Sequence, residues 1–182
     1  TVILGIVLMA MVVNSVFAYW NMQLKFPSFL EGFEKWAQAK ELELKELTDL
    51  LTTFNSLQNL LLMIFVIGII PAIGEEFLFR GILQNLLYEN TKNIHIAISV
   101  SAFIFSAIHL QIYGFLPRFL LGVLFGYLYF WTGNLLFPII AHFLNNALTL
   151  IVLFVYQRNN YNPGLDGEQL LPMPVIVLCS LV

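Results

Sequence analysis

The sequence has one cysteine, Cys179, three histidines and only 19 charged residues among 182. A single cysteine excludes a disulfide framework and a cysteine-built zinc site. Eight Lys and Arg and a net charge of −3 exclude the basic surface on which nucleic-acid binding depends, so no nucleic-acid partner is expected. Charged residues are 10% of the chain, against about 25% in soluble domains, too few to cover a soluble domain of this size. Apolar residues are abundant instead, at 59% against about 45–50%. The composition predicts an all-α fold, a multi-pass transmembrane helix bundle in a cell membrane.

The charge is unevenly spread. Ten of the 19 charged residues lie between Lys25 and Asp49. An ionisable residue anywhere else sits in apolar sequence, where it needs a reason to exist. Residues 1–20 carry no charge and match a hydrocarbon core of about 30 Å, with Tyr19 and Trp20 as an interfacial anchor. Pro27-Ser28 starts a helix within a connector at about 25–55, where Phe29, Phe33, Trp36, Leu44, Leu47 and Leu51 recur among Glu and Lys. This reads as one amphipathic membrane-surface helix. Residues 57–74 are apolar, and the helical pattern runs on through Glu75, Glu76 and Arg80 to about Leu87. After a polar break at 90–93, further spans are expected over 94–112, 118–131 and 135–156, punctuated by Gly114, Pro117 and a Thr132-Gly133-Asn134 turn. Gly122-x-x-x-Gly126 reads as a helix-packing face. Residues 171–182 are too short to cross and read as the start of another helix. The whole of 1–182 is read as a single membrane-embedded domain, and the opening Thr1 as the mark of a fragment of a longer chain. With one crossing per apolar segment, most of the basic residues, Arg118 among them, fall on one side, and Lys92 lies opposite. The positive-inside rule would make the first side cytoplasmic.

Three polar clusters interrupt apolar sequence. Glu75-Glu76 precedes Arg80, and the i, i+4 spacing of Glu76 and Arg80 lets them pair on one helix face. Glu75 lies about 100° round the helix from Glu76, so one carboxylate can be held while the other stays free to act as a general base. The bland alternative is an ion-pair network that only fixes helix packing. Phe105 and His109 share a face of the next helix. Further on, His142, Asn145 or Asn146, and Thr149 form a polar stripe that must face a bundle interior. Brought together, these residues supply a base, proton carriers and donors for a developing oxyanion. No Gly-x-Ser-x-Gly elbow and no His-Glu-x-x-His helix is present. His95 reads as interfacial. One geometric difficulty stands: straight crossings put Glu75 near one face and His109 near the other. To meet, helices must tilt, break at Pro71 or Gly74, or extend beyond the bilayer.

Glu-Glu-x-x-x-Arg, Phe-x-x-x-His and His-x-x-x-Asn, in that order between Gly74 and Asn146, resemble the CPBP family. This is the family of CAAX prenyl proteases and bacteriocin-processing or self-immunity proteins, also called Abi. The resemblance implies an intramembrane endopeptidase with its catalytic helices over about 57–156. It assigns water activation to Glu75 and His109, oxyanion stabilisation to His142 and Asn146, and support to Glu76 and Arg80. Asn145 is adjacent but off the family spacing. The implied partner is a peptide or protein substrate, membrane-associated or lipidated, and the implied location a bacterial cell membrane. The residues fix no cofactor, and zinc on Glu75, His109 and His142 stays open beside a metal-free scheme. The competing readings are a membrane transporter and an ion-binding or immunity protein that uses the same polar cavity without catalysis.

Overall fold

A computed structural model describes residues 2–24 and 26–158, which places the expected helix at 171–182 outside the described residues. The described elements are helical. α1 (Val2–Met22) is followed by a 3-10 turn at Ser28–Leu30 and by α2 (Glu31–Thr52). Then come α3 (Leu57–Thr91), α4 (Ile94–Ala107), α5 (Phe115–Thr132) and α6 (Leu136–Arg158). The helix ends follow local signals. Ser56 caps α3 by accepting the Asn59 N–H, and Asn93 caps α4 by accepting those of His95 and Ile96. Gly133, at φ 61, ends α5 in the left-handed conformation. Pro117 lies in the first turn of α5, where its missing N–H is no loss.

Among the described residues four helices, α1, α3, α5 and α6, are long and apolar enough to cross a membrane. The chain is an all-α, multi-pass membrane bundle. Two expectations need correction. The predicted span over 94–112 is a helix of only 14 residues, α4, which ends at Ala107 before a turn. It rises about 21 Å, short of a hydrocarbon core of about 30 Å. Arg118, counted above among loop charges, is 2% exposed inside the bundle.

The same lengths remove the depth difficulty. α3 has 35 residues, about 50 Å of helix, and Glu75 and Glu76 fall beside its midpoint. α3 overshoots the hydrocarbon core while α4 stops short of it, so the Glu pair and His109 can meet at one depth. α3 is also irregular. Two stretches wound as π-helix, Ile64–Ile69 and Phe77–Leu83, flank the α-helical turns that carry Pro71 and the Glu pair. Pro71 has no N–H to give the Ile67 carbonyl one turn back. That carbonyl instead accepts Asn146 Nδ2 from α6, at 3.1 Å.

The core has two parts. Val7 of α1 packs with Leu121, Phe125 and Leu128 of α5 and Ala141 of α6. Phe54, Leu60 and Leu150 form a second cluster where the α2–α3 connection meets α6. There Gln157 donates to Thr52 O and accepts the Phe54 N–H, both at 2.9 Å.

The Gly122-x-x-x-Gly126 face does pack. A Cβ on Gly122 would stand 3.0 Å from Ala102 Cβ and 3.2 Å from Ala102 Cα on α4. It does more than pack, because the Gly122 and Gly126 carbonyls accept Arg80 Nη2 and Gln84 Nε2 of α3, at 2.8 and 3.2 Å. Backbone cannot yield as a flexible side-chain tip can. Gly122→Ala is therefore expected to cost about 1–3 kcal/mol, the range for overpacking a tight site. A thermal unfolding scan in detergent micelles checks this, and an unchanged midpoint would contradict it.

Candidate active site

The polar clusters converge on one cavity of about 180 Å³, against the ~15 Å³ that a single water needs. α3 contributes Ile67, Pro71 and Glu75 to its wall. Phe105 and His109 come from α4 and the turn after it, Arg118, Leu121 and Phe125 from α5, and His142, Asn145 and Asn146 from α6. Four of the sequence-predicted site residues, Glu75, His109, His142 and Asn146, thus share one space. The supporting pair, Glu76 and Arg80, lies behind the wall.

Adjacent carboxylates have different surroundings. Glu76 is fully buried, and its Oε1 accepts both Arg80 Nη1 at 2.7 Å and His142 Nδ1 at 2.9 Å. Arg80, 1% exposed, also reaches Gly122 O and stands over the rings of Phe105 and Phe125, 5.0 and 5.4 Å from their centroids. Contacts within about 6 Å of a ring face are cation–π interactions. Its charge is met on every side, which is how a buried guanidinium is tolerated. The Glu75 side chain is 29% exposed, on the cavity side, and its Oε2 lies 3.9 Å from His142 Nε2.

Hydrogen bonding fixes the two imidazoles. A backbone carbonyl only accepts, so His109 donates from Nδ1 to Phe105 O at 2.8 Å. In the neutral ring Nε2 then carries the lone pair. His142 donates from Nδ1 to Glu76, and Phe125 stacks on its ring at 5.2 Å and 20°. Any donation from His142 Nε2 therefore requires the imidazolium.

Asn146 is partly exposed and gives one of its two amide protons to Ile67. Asn145 is buried, bonds Asn146 Oδ1 at 3.3 Å, and has an Oδ1 without a partner. Thr149, one turn on, is buried too, with no partner for Oγ1. His95 lies outside the cavity, 2.6 Å from the Tyr127 hydroxyl. Among the described residues no three His, Cys, Asp or Glu side chains stand close enough to hold a metal ion. Glu75, His109 and His142 share the cavity without forming a ready zinc set, and His142 Nδ1 is committed to Glu76.

Two groups here were not read as site residues from the sequence. Arg118 lines the cavity and bonds Gln111. Its signal was available, as an ionisable residue in an apolar helix outside the charged stretch. Glu41 of α2 is half-buried, and its Oε2 is buried without a hydrogen-bond partner. It was hidden among nine other charges, and nothing in its spacing marks it.

The model of the type II CAAX prenyl endopeptidase Rce1-like family matches residues 57–148, which include every residue that lines the cavity. YdiL of Bacillus subtilis, named as a candidate membrane peptidase, is 35% identical over 103 residues, covering 57% of this chain and 42% of its own. The membrane-embedded CAAX protease MroQ of Staphylococcus aureus is 34% identical over 96 residues, covering 50% of this chain and 38% of its own. An uncharacterized Bacillus subtilis protein, YpbD, is 35% identical over 92 residues, covering 47% and 42%. The chain thus spans about two fifths of the length of these curated relatives. No solved structure matches it.

Proposed function

Because the chain belongs to the Rce1-like type II CAAX prenyl endopeptidase family, we propose that it is a membrane-embedded endopeptidase. In this reading it hydrolyses a peptide bond with water activated by Glu75 and His109. One observation carries the reading: Glu76 is committed to Arg80 and His142, while its neighbour Glu75 faces the cavity 3.9 Å from His142 Nε2. A transporter needs a charged site, but not one carboxylate fixed beside one left free.

The chemistry follows from the proton positions. Water held between Glu75 and the His109 Nε2 lone pair loses a proton as its oxygen attacks the carbonyl carbon. That proton passes to the amide nitrogen, and the C–N bond breaks to give a new carboxyl and a new amine. Negative charge develops on the carbonyl oxygen, where donors held in advance act most strongly. His142 donates from Nε2 as an imidazolium flanked by Glu75 and Glu76, and Asn146 donates its second amide proton. Glu76 and Arg80 hold the His142 ring in place. No step runs through a metal ion. The substrate proposed is a peptide or protein segment at the bilayer, membrane-associated or lipidated, because the site lies on spanning helices. α2, with Phe33, Trp36, Leu47 and Leu50 exposed among its charges, is proposed to lie along the membrane surface.

Asn146→Ala is expected to lower kcat by about 10²–10³-fold, the loss seen when one oxyanion donor is removed. KM should change little, because the donor acts mainly in the transition state. Asn145→Ala should be milder, and the reverse ranking would move the donor role to Asn145. The reading itself is tested by incubating purified protein in lipid nanodiscs with a peptide library and reading products by mass spectrometry. Cleavage that Glu75→Gln protein does not give supports an endopeptidase. An intact library, with solute flux through vesicles holding the protein, would favour the transporter reading.

A further inference from the structure

Ile67, Pro71 and Glu75 follow one another at helical i, i+4 spacing on α3, and all three line the cavity. Ile67 lies in the π-wound stretch Ile64–Ile69, and Pro71 and Glu75 lie in the α-helical turns that follow. The proposed base thus shares a stripe with a proline one turn before it. A proline inside a helix has two local effects. It offers no N–H to the carbonyl four residues back, and its ring crowds that carbonyl off the helix axis. Here the carbonyl belongs to Ile67, and it accepts Asn146 Nδ2 of α6 at 3.1 Å.

This bond decides which way the Asn146 amide faces. A carbonyl only accepts, so Asn146 must turn its nitrogen to Ile67. Its oxygen accepts Asn145 Nδ2 at 3.3 Å. With the oxygen and one N–H engaged, the second N–H is the donor that Asn146 can offer to the cavity it lines. The same bond holds α6 against α3. His142 Nδ1 donates to Glu76 Oε1 at 2.9 Å, a second tie between the two helices. Along α3 the ties at Ile67 and Glu76 stand on either side of Glu75.

We propose that Pro71 is a positioning residue for Asn146: by withholding an N–H from Ile67 it reserves that carbonyl for the amide and so aims the second donor. The inference deepens the endopeptidase reading and rests on it for the role of Asn146. A residue with an N–H at 71 would have the Ile67 carbonyl as its regular helical acceptor and would compete with the amide for it.

The test restores the N–H. Pro71→Ala and Pro71→Val both do so, and valine keeps an apolar side chain of similar size against the cavity. The full chain in detergent micelles is labelled with ¹⁵N-asparagine and its side-chain amide signals are read by NMR, beside peptide cleavage kinetics. Asn146→Ala identifies the Asn146 pair by its loss. In both proline variants that pair is expected to move upfield. The Asn85 pair, whose Nδ2 donates to Gly81 O on the same helix, should stay. A misaimed donor should lower kcat about tenfold or more, with KM nearly unchanged. In an Asn146→Ala background either substitution should cost less than about twofold more, because both act through one donor, whereas a lost wall contact would multiply the two losses. The inference is overturned by an unmoved Asn146 pair, by movement of the Asn85 pair as well, by parental kcat in Pro71→Val, or by losses that multiply in the double variants. The amide signals need no turnover, so absence of cleavage by the wild type overturns the endopeptidase reading alone.

Discussion

Glu75→Gln is expected to lower peptide cleavage by about 10²–10⁴-fold, the range that a positioned general base contributes, while thermal unfolding stays near that of the parent protein. Glutamine keeps the shape of the side chain and removes only its capacity to take a proton. The fold should tolerate this because Glu75 makes no hydrogen bond on which packing depends. Its nearest charged group is His142 Nε2 at 3.9 Å, beyond hydrogen-bond length. Glu76→Gln, by contrast, should lower both activity and stability, because it leaves Arg80 buried without its counter-charge. Cleavage kinetics and unfolding midpoints on the two variants check this. Full activity in Glu75→Gln protein would remove Glu75 from the mechanism.

The second large effect is on stability. Arg80→Ala is expected to destabilise the protein by about 3–5 kcal/mol, as when one partner of a buried ion pair is removed. Glu76 is fully buried, and without Arg80 its carboxylate keeps only His142. The two aromatic contacts and the bond to Gly122 O are lost as well. Replacing both Glu76 and Arg80 by methionine separates folding from function. Buried pairs exchanged for apolar residues of similar volume are often neutral in stability, so the double variant should unfold near the parent. It should still lack activity, since His142 no longer has an acceptor for Nδ1. Denaturation midpoints in detergent, with the cleavage assay, check both halves. A double variant that is stable and active would mean that the Glu76–His142 bond has no part in the chemistry.

The site was legible in the sequence where helical spacing decides it. Glu76 and Arg80, four apart, pair as expected, and His142 and Asn146, four apart, line one cavity. The polar punctuation was legible too, as at Asn93 and Gly133, because caps and left-handed turns are local chemistry. Helix length was harder. The 94–112 stretch is uncharged and mostly apolar, and hydropathy cannot report that the helix gives way at Ala107 to a turn with Leu110 left-handed. Position along α3 was hidden for a related reason: the Glu pair looks like the end of a span when apolarity marks the boundary. It sits near the middle because the helix runs on through polar residues to Thr91. What no pattern along one helix carries is tertiary. Arg118 reads as a loop charge until α4 is seen to end early, and Glu41 reads as a solvated acid until its Oε2 is found buried. The bond from Asn146 to Ile67 could not be drawn from spacing, although Pro71 announced which carbonyl lacks its usual partner.

In the proposed mechanism water, activated at Glu75, attacks the peptide directly without a nucleophile from the protein. Single-turnover cleavage of a reactive peptide in ¹⁸O-water, quenched on the millisecond scale and read by intact-protein and product mass spectrometry, tests it most directly. The account predicts one ¹⁸O in the newly formed carboxyl and no peptide-sized mass gain on the protein at any time. An acylated protein that forms before product and decays with it would contradict the account.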